Sequence, residues 1–238
     1  MMPATAGSGT LRLVVFDVDG TLVDSQHNIV EAMRMACAAV GLAAPSDEAT
    51  RSVIGLSLGE AVARVTPGAS ELDRRRVEAS YKEAFATLRL RPDHHEPLFP
   101  GVHAVLDALE AVGCVLGLAT GKSRRGVASV IERHGLEGRF VTVRTADDGP
   151  GKPHPAMMRE AMAEAGVEPD STAMVGDTTF DIEMARAAGA DPLGVAWGYH
   201  PPTALMAAGA RLVLPDFAAL PGCLSWSAGS PPRLAERA

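Results

Sequence analysis

The apolar positions of this chain fall into short continuous runs separated by stretches with helical spacing. Leu11-Arg12-Leu13-Val14-Val15-Phe16 is brief, β-branched and almost wholly apolar, the pattern of a strand buried on both faces. Comparable runs lie at residues 115–120, 140–145, 172–176, 193–197 and 211–214. Between the later runs, residues 102–112, 123–134, 155–165 and 180–188 place apolar side chains at helical intervals. Strands alternating with helices require crossover connections and a mostly parallel sheet. The pattern predicts an α/β fold with a doubly wound parallel sheet.

One stretch breaks the alternation. Residues 26–95 contain no convincing strand, whereas 29–40, 58–65 and 72–90 all carry helical patterns. Helix-only sequence after the first strand predicts a small α-helical domain inserted there. Its exit, Arg91-Pro92-Asp93-His94-His95-Glu96-Pro97, reads as a hinge because two prolines stop a helix from continuing. The expected division is a core of residues 1–24 and 97–222, a helical domain of 25–96 and a C-terminal tail of 223–238. Residues 1–10 read as a leader of small residues.

Composition narrows the classes. With 22 Lys and Arg against 29 Asp and Glu, the 238 residues carry a net charge of −7. That balance argues against nucleic-acid and anionic-membrane partners. The 47% hydrophobic content supports a core, and with aromatics at 4% Ala, Val, Leu and Met must fill it. Cys37, Cys114 and Cys223 form no C-x-x-C pair, so neither a disulfide framework nor a cysteine zinc site is expected. The first ten residues lack the pattern of a secretory signal, and the apolar run 111–119 is far short of the ~20 residues that span a bilayer. A cytoplasmic protein is expected.

In an open parallel sheet, ligands bind beyond the carboxyl ends of the strands. There the first strand delivers Asp17-Val18-Asp19-Gly20-Thr21 and the second Thr120-Gly121-Lys122-Ser123. Gly149-Pro150-Gly151-Lys152-Pro153 follows the third, and Gly176-Asp177-Thr178-Thr179-Phe180-Asp181 the fourth. Singly, Thr120, Ser123, Asp177 or Thr178 could be helix caps. Asp17-Val18-Asp19 is harder to dismiss. Carboxylates ~5 Å apart repel by roughly 3 kcal/mol at an effective dielectric near 20, so a cation is the natural resolution. Oxygen-only ligands point to Mg²⁺ rather than zinc. A hard cation, a hydroxyl, glycine-flanked amides and a lysine make a cradle for a phosphoryl group. A free carboxylate there can attack phosphorus.

These four segments, in this order, resemble the motifs of the haloacid dehalogenase superfamily, over roughly residues 11–220. The helical insert resembles the cap of the branch that contains phosphoglycolate phosphatases. The resemblance implies a Mg²⁺-dependent phosphatase that hydrolyses a small phosphorylated metabolite through an aspartyl-phosphate. It makes Asp17 the nucleophile and a metal ligand. Asp19 would bind metal through its carbonyl, protonate the leaving oxygen and then deprotonate water. Thr120, Lys152 and the Gly121 amide would hold the phosphoryl group. Asp177 would ligate Mg²⁺, with Asp181 and Thr21 in support.

Details sort the reaction. Superfamily dehalogenases and phosphonate-cleaving relatives lack an acid at the Asp19 position. Sugar-phosphate mutases of the branch carry histidine where Ile29 stands. Two departures run the other way: many relatives have asparagine at Gly121, and close ones often have arginine at Gly59. Alternatives remain a pyrophosphatase, a phosphomutase, a phospho-accepting receiver and a non-catalytic binding module.

Arg51, Ser57 and Lys82 are the insert residues expected to meet substrate. His94 and His95 read as exposed hinge residues, and Arg74-Arg75-Arg76 as a solvated face. Met157, Met158 and Met162 read as core. Trp197-Gly198-Tyr199-His200 reads as packing near the rim of the site.

Overall fold

The computed structural model describes residues 11–92 and 94–224. The leader, Asp93 and all but the start of the tail lie outside the described residues. Six strands, β1 (Arg12–Phe16), β2 (Cys114–Ala119), β3 (Phe140–Arg144), β4 (Thr172–Gly176), β5 (Asp191–Val195) and β6 (Leu212–Leu214), form one sheet. Their order is β3-β2-β1-β4-β5-β6 and every pairing is parallel. The order reverses at β1, which pairs with β2 on one side and β4 on the other. That reversal opens a crevice at the carboxyl ends of β1 and β4.

The first helices are α1 (Gln26–Val40), α2 (Asp47–Arg51), α3 (Leu58–Val65) and α4 (Glu71–Arg89). After them come α5 (Val102–Ala111), α6 (Arg124–His134), α7 (Ala156–Ala165), α8 (Thr179–Ala188), α9 (Pro202–Ala208) and α10 (Leu220–Cys223). Alternate residues of β1 point to opposite faces of the sheet. Val14 and Phe16 pack with Val105, Leu109, Val127 and Phe217, while Leu13 and Val15 pack with Met158, Met162 and Met184. Helices therefore cover both faces, as the apolar runs require. Met157, Met158 and Met162 are core residues, as expected.

Helices α1 to α4 bury side chains chiefly against one another. Ile29, Ala32, Phe85 and Leu88 form one cluster, and Met33, Cys37, Val62 and Val77 another. The chain enters and leaves this segment side by side. Asp24 N donates to Pro97 O at 2.9 Å and Phe99 N to Leu22 O at 2.9 Å, around an antiparallel bridge between Val23 and Leu98. The segment is thus tied to the sheet at its base. Among the described residues, no helix is long and apolar enough to cross a membrane.

Candidate active site

Asp17 follows β1 directly, and its backbone N–H donates to Val175 O at 3.0 Å, extending the ladder with β4. This places its carboxylate at the switch point, fully buried. Lys152, also fully buried, puts Nζ 2.8 Å from Asp17 Oδ1 and 2.6 Å from Asp181 Oδ1. Asp181 Oδ2 accepts from the backbone N–H (3.0 Å) and hydroxyl (2.7 Å) of Thr178, closing a capping box at the start of α8. Asp181 thereby fixes a helix terminus and a lysine together.

Asp177 is held on both oxygens. Thr21 Oγ1 donates to Oδ1 at 3.0 Å and Tyr199 N to Oδ2 at 2.9 Å. The turn between Asp17 and Thr21 needs Gly20, which has φ +89° and lies so close that a Cβ there would stand 2.2 Å from Asp177 Oδ2. Asp17, Asp177 and Asp181 each present an oxygen within 4.8 Å of the others.

One buried lysine faces this trio. Burial, reinforced by Asp181 and Asp19, pushes the Asp17 carboxyl up from 3.8 to about 7, although Lys152 pulls the other way. Asp177 is raised well above the usual carboxylate range, first by burial and then by Asp17 and Asp181. Burial alone would favour neutral Lys152, but the adjacent Asp17 and Asp181 outweigh it and hold its ammonium charged. Asp17 Oδ2 is buried with no hydrogen-bond partner. An orphaned carboxylate oxygen amid surplus negative charge, with oxygen donors only, suits a hard divalent cation such as Mg²⁺.

The side chain of Asp19 does not join the trio. Its Oδ1 accepts from Ser25 Oγ at 2.5 Å and from Lys122 Nζ at 2.6 Å. Thr120 is buried at the end of β2, where its Oγ1 accepts from Lys122 N at 3.2 Å. Ser123 caps α6, with Oγ accepting from Gly126 N at 3.2 Å.

A cavity of about 510 Å³ lies between the helical segment and this rim, with Asp19, Gly121, Lys122, Ser57, Lys82 and Phe85 among its lining. Ser57 and Lys82 therefore face the same space as Asp19. Arg51 does not line it. Its Nε donates to Gln26 Oε1 at 2.9 Å, and it borders a separate pocket of about 350 Å³ with Glu48 and His200.

Two expectations need correction. His95 is exposed, but the His94 side chain is only 2% exposed, with Nε2 3.1 Å from Glu96 Oε2. A buried carboxylate draws the ring inward. Tyr199 and His200 do more than pack. Tyr199 holds Asp177, and His200 takes a hydrogen bond from Thr179 N at 3.1 Å while its Nε2 lies 3.2 Å from Ser52 O. Arg75 and Arg76 form exposed ion pairs as a solvated face should, whereas Arg74 reaches the backbone carbonyls of Thr66 and Pro67.

Ser25 and Glu96 surround the site without having been singled out from the sequence, while Lys122 and Tyr199 stood in segments expected at its rim with no hydrogen-bonding role there. Lys122 carried a signal, since it stands two residues after Thr120 at a strand end. Ser25 stands six residues after Asp19, and Glu96 and Tyr199 are brought in by long-range contacts that no spacing reports.

Fold and site together define a doubly wound α/β enzyme that gathers carboxylates and a buried lysine at its switch point. The model of the haloacid dehalogenase-like hydrolase family matches residues 14–195, and the chain belongs to that family. It is 36% identical over 213 residues to the Dickeya dadantii protein named Probable phosphatase IndB, covering 88% of this chain and 92% of that one. It is 31% identical over 196 residues to phosphoglycolate phosphatase of Vibrio parahaemolyticus, covering 80% and 86%. Solved structures share the fold. A hydrolase from Pseudomonas syringae superposes with a TM-score of 0.79 at 24% identity, covering 90% of this chain and 98% of that one. A β-phosphoglucomutase from Clostridium difficile does so at 0.74 and 20% identity, covering 89% and 93%.

Proposed function

We propose that this hydrolase is a Mg²⁺-dependent phosphatase that cleaves the phosphomonoester of a small metabolite through a phosphoaspartate on Asp17. The observation that carries this reading is Asp17 itself: buried at the switch point, with Lys152 on one oxygen and no partner on the other. A carboxylate so placed is costly to bury unless cationic partners, Lys152 and a bound metal ion, complete its surroundings.

An Asp17 oxygen attacks phosphorus in line with the ester bond. As the phosphorus–oxygen ester bond breaks, its electron pair passes to the leaving oxygen, which takes a proton from Asp19. Asp19 then accepts a proton from water as that water attacks phosphorus, and the Asp17 carboxylate departs. Lys152, the Thr120 hydroxyl and the Gly121 amide hold the phosphoryl oxygens. Asp17, Asp177 and the Asp19 carbonyl would hold Mg²⁺, with Asp181 and Thr21 in support. When bound, the ion offsets the negative charge that carboxylate and phosphoryl group bring together.

Residues 25–96 serve as a cap over a core of 1–24 and 97–222, excluding bulk water during transfer. The cavity volume suits a metabolite rather than a phosphoprotein, and the relatives named as phosphoglycolate phosphatases make small acidic phosphoesters the first to try. Ile29, where mutases of the branch carry histidine, is an apolar wall of the cavity, so no proton-transfer group stands there.

The test is phosphate release from 4-nitrophenyl phosphate with Mg²⁺ and with chelator, in wild type and Asp17→Asn. Turnover should need Mg²⁺ and vanish in Asp17→Asn. Activity surviving that substitution would overturn the nucleophile assignment. A metabolite panel including phosphoglycolate then ranks substrates by kcat/KM.

A further inference from the structure

Asp19 is expected to carry a proton to the leaving oxygen, so one of its oxygens must be presented to the cavity in a fixed direction. Its Oδ1 is occupied by two donors, Ser25 Oγ at 2.5 Å and Lys122 Nζ at 2.6 Å. Among the described residues, no hydrogen bond is made to Oδ2. The carboxylate plane is therefore clamped from one side, with the second oxygen left for the reaction.

Lys122 is itself held. Its side chain is 7% exposed, and Nζ lies 5.5 Å from the centroid of the Phe85 ring. Glu96 Oε1 stands 3.9 Å from Nζ on a side chain that is 3% exposed, and it has no hydrogen-bond partner. Glu96 is fixed in turn: Oε2 meets His94 Nε2 at 3.1 Å, and its backbone oxygen lies 2.9 Å from His134 Nε2. A buried carboxylate with an orphaned oxygen beside a buried ammonium is an anchor for that ammonium.

We infer that Lys122, anchored by Glu96, is a positioning residue that aims the Asp19 carboxyl at the leaving oxygen. The inference rests on the proton-donor role proposed for Asp19. It predicts a defect that depends on the leaving group. 4-Nitrophenolate departs with little proton assistance, whereas the alkoxide of glycerol 2-phosphate needs a proton as its bond breaks.

The experiment measures kcat and KM on both substrates for wild type, Lys122→Met, Lys122→Arg, Glu96→Gln and Asp19→Asn, with thermal melts alongside. Lys122→Met should lose roughly 10-fold more kcat/KM on glycerol 2-phosphate than on 4-nitrophenyl phosphate, since kcat/KM excludes the phosphoaspartate hydrolysis common to both. Lys122→Arg should recover most of that difference, and Glu96→Gln should show a smaller loss with the same bias.

Equal losses of kcat/KM on both substrates would overturn the inference and make Lys122 a structural or substrate-binding residue. If Lys122→Met does not fold, Lys122→Arg and Glu96→Gln carry the same comparison, and unbiased losses there overturn it. Asp19→Asn separates the two layers. Without a leaving-group bias in Asp19→Asn, the donor role itself fails and takes the inference with it. A bias in Asp19→Asn but not in the Lys122 variants removes the inference alone.

Discussion

Gly121, at the end of β2, lies against the Gly55–Leu56 backbone of the helical segment: a Cβ on residue 121 would stand 2.4 Å from Leu56 O and 2.6 Å from Gly55 O. The asparagine common in relatives could not fit without moving that loop. Here a side-chain donor is replaced by close approach of two backbones.

Gly121→Asn should therefore push the loop away from the rim. The expected result is a higher KM together with a loss of about 1–3 kcal/mol in stability, the usual cost of overpacking. Steady-state kinetics and urea unfolding measure both. Unchanged values would show that the loop yields freely.

Lys152 is the counter-charge for two buried carboxylates. Lys152→Met leaves Asp17 and Asp181 without it and should cost about 3–5 kcal/mol of stability as well as turnover. Equilibrium unfolding at neutral pH is the check, and a loss under 1 kcal/mol would contradict the role of the ammonium as counter-charge.

The raised carboxyls also predict how stability follows pH. The folded protein keeps a proton on Asp17 up to about 7, whereas the unfolded chain releases it near 3.8. The contribution of this group is therefore fully present below about 4 and is lost as pH rises through about 7. Asp177, shifted in the same direction, adds to the trend. Mg²⁺ held by this trio would compete with these protons, so its stabilising effect should be larger at pH 8 than at pH 5.5. At a 100-fold excess over Kd the gain is about 2.7 kcal/mol, or roughly 5–10 °C in melting temperature. Melts with Mg²⁺ and with chelator at the two pH values decide it, and an equal shift at both would count against metal binding at this trio.

The cavity separates the cap residues. Lys82→Ala and Ser57→Ala should change KM, because both side chains border the space that Asp19 borders. Arg51→Ala should leave KM near the wild-type value, since its guanidinium faces Gln26 and the separate pocket beside His200. A KM change confined to Arg51→Ala would place the substrate on the other side of the segment.

Much of the architecture was legible because it rests on local pattern. The run from Leu13 to Phe16 is apolar at every position, as a strand covered on both faces requires, and the structure buries all four side chains. Asp17, Lys152, Asp177 and Asp181 could be placed at one rim because each follows a strand of a parallel sheet, and such sheets expose their carboxyl ends together. Element limits were blurred by a residue or two: β5 begins at Asp191, not Leu193. The Asp191-Pro192 start carries too little apolar signal to announce a strand, yet pairing with Ala173 and Met174 extends it.

What the sequence alone determined is the alternation of strands and helices, the helical insert and the identity of the acids at the switch point. The tertiary structure decided how those acids are shared. Asp181 turned to Lys152 and Thr178, Asp19 turned to Ser25 and Lys122, and Glu96 came across the chain to stand behind Lys122. It also placed Ser57 and Lys82 on the cavity and Arg51 off it. Periodicity records which face of an element is buried. Charge pairing between residues distant along the chain leaves no periodic trace, because it depends on where separate elements come to rest.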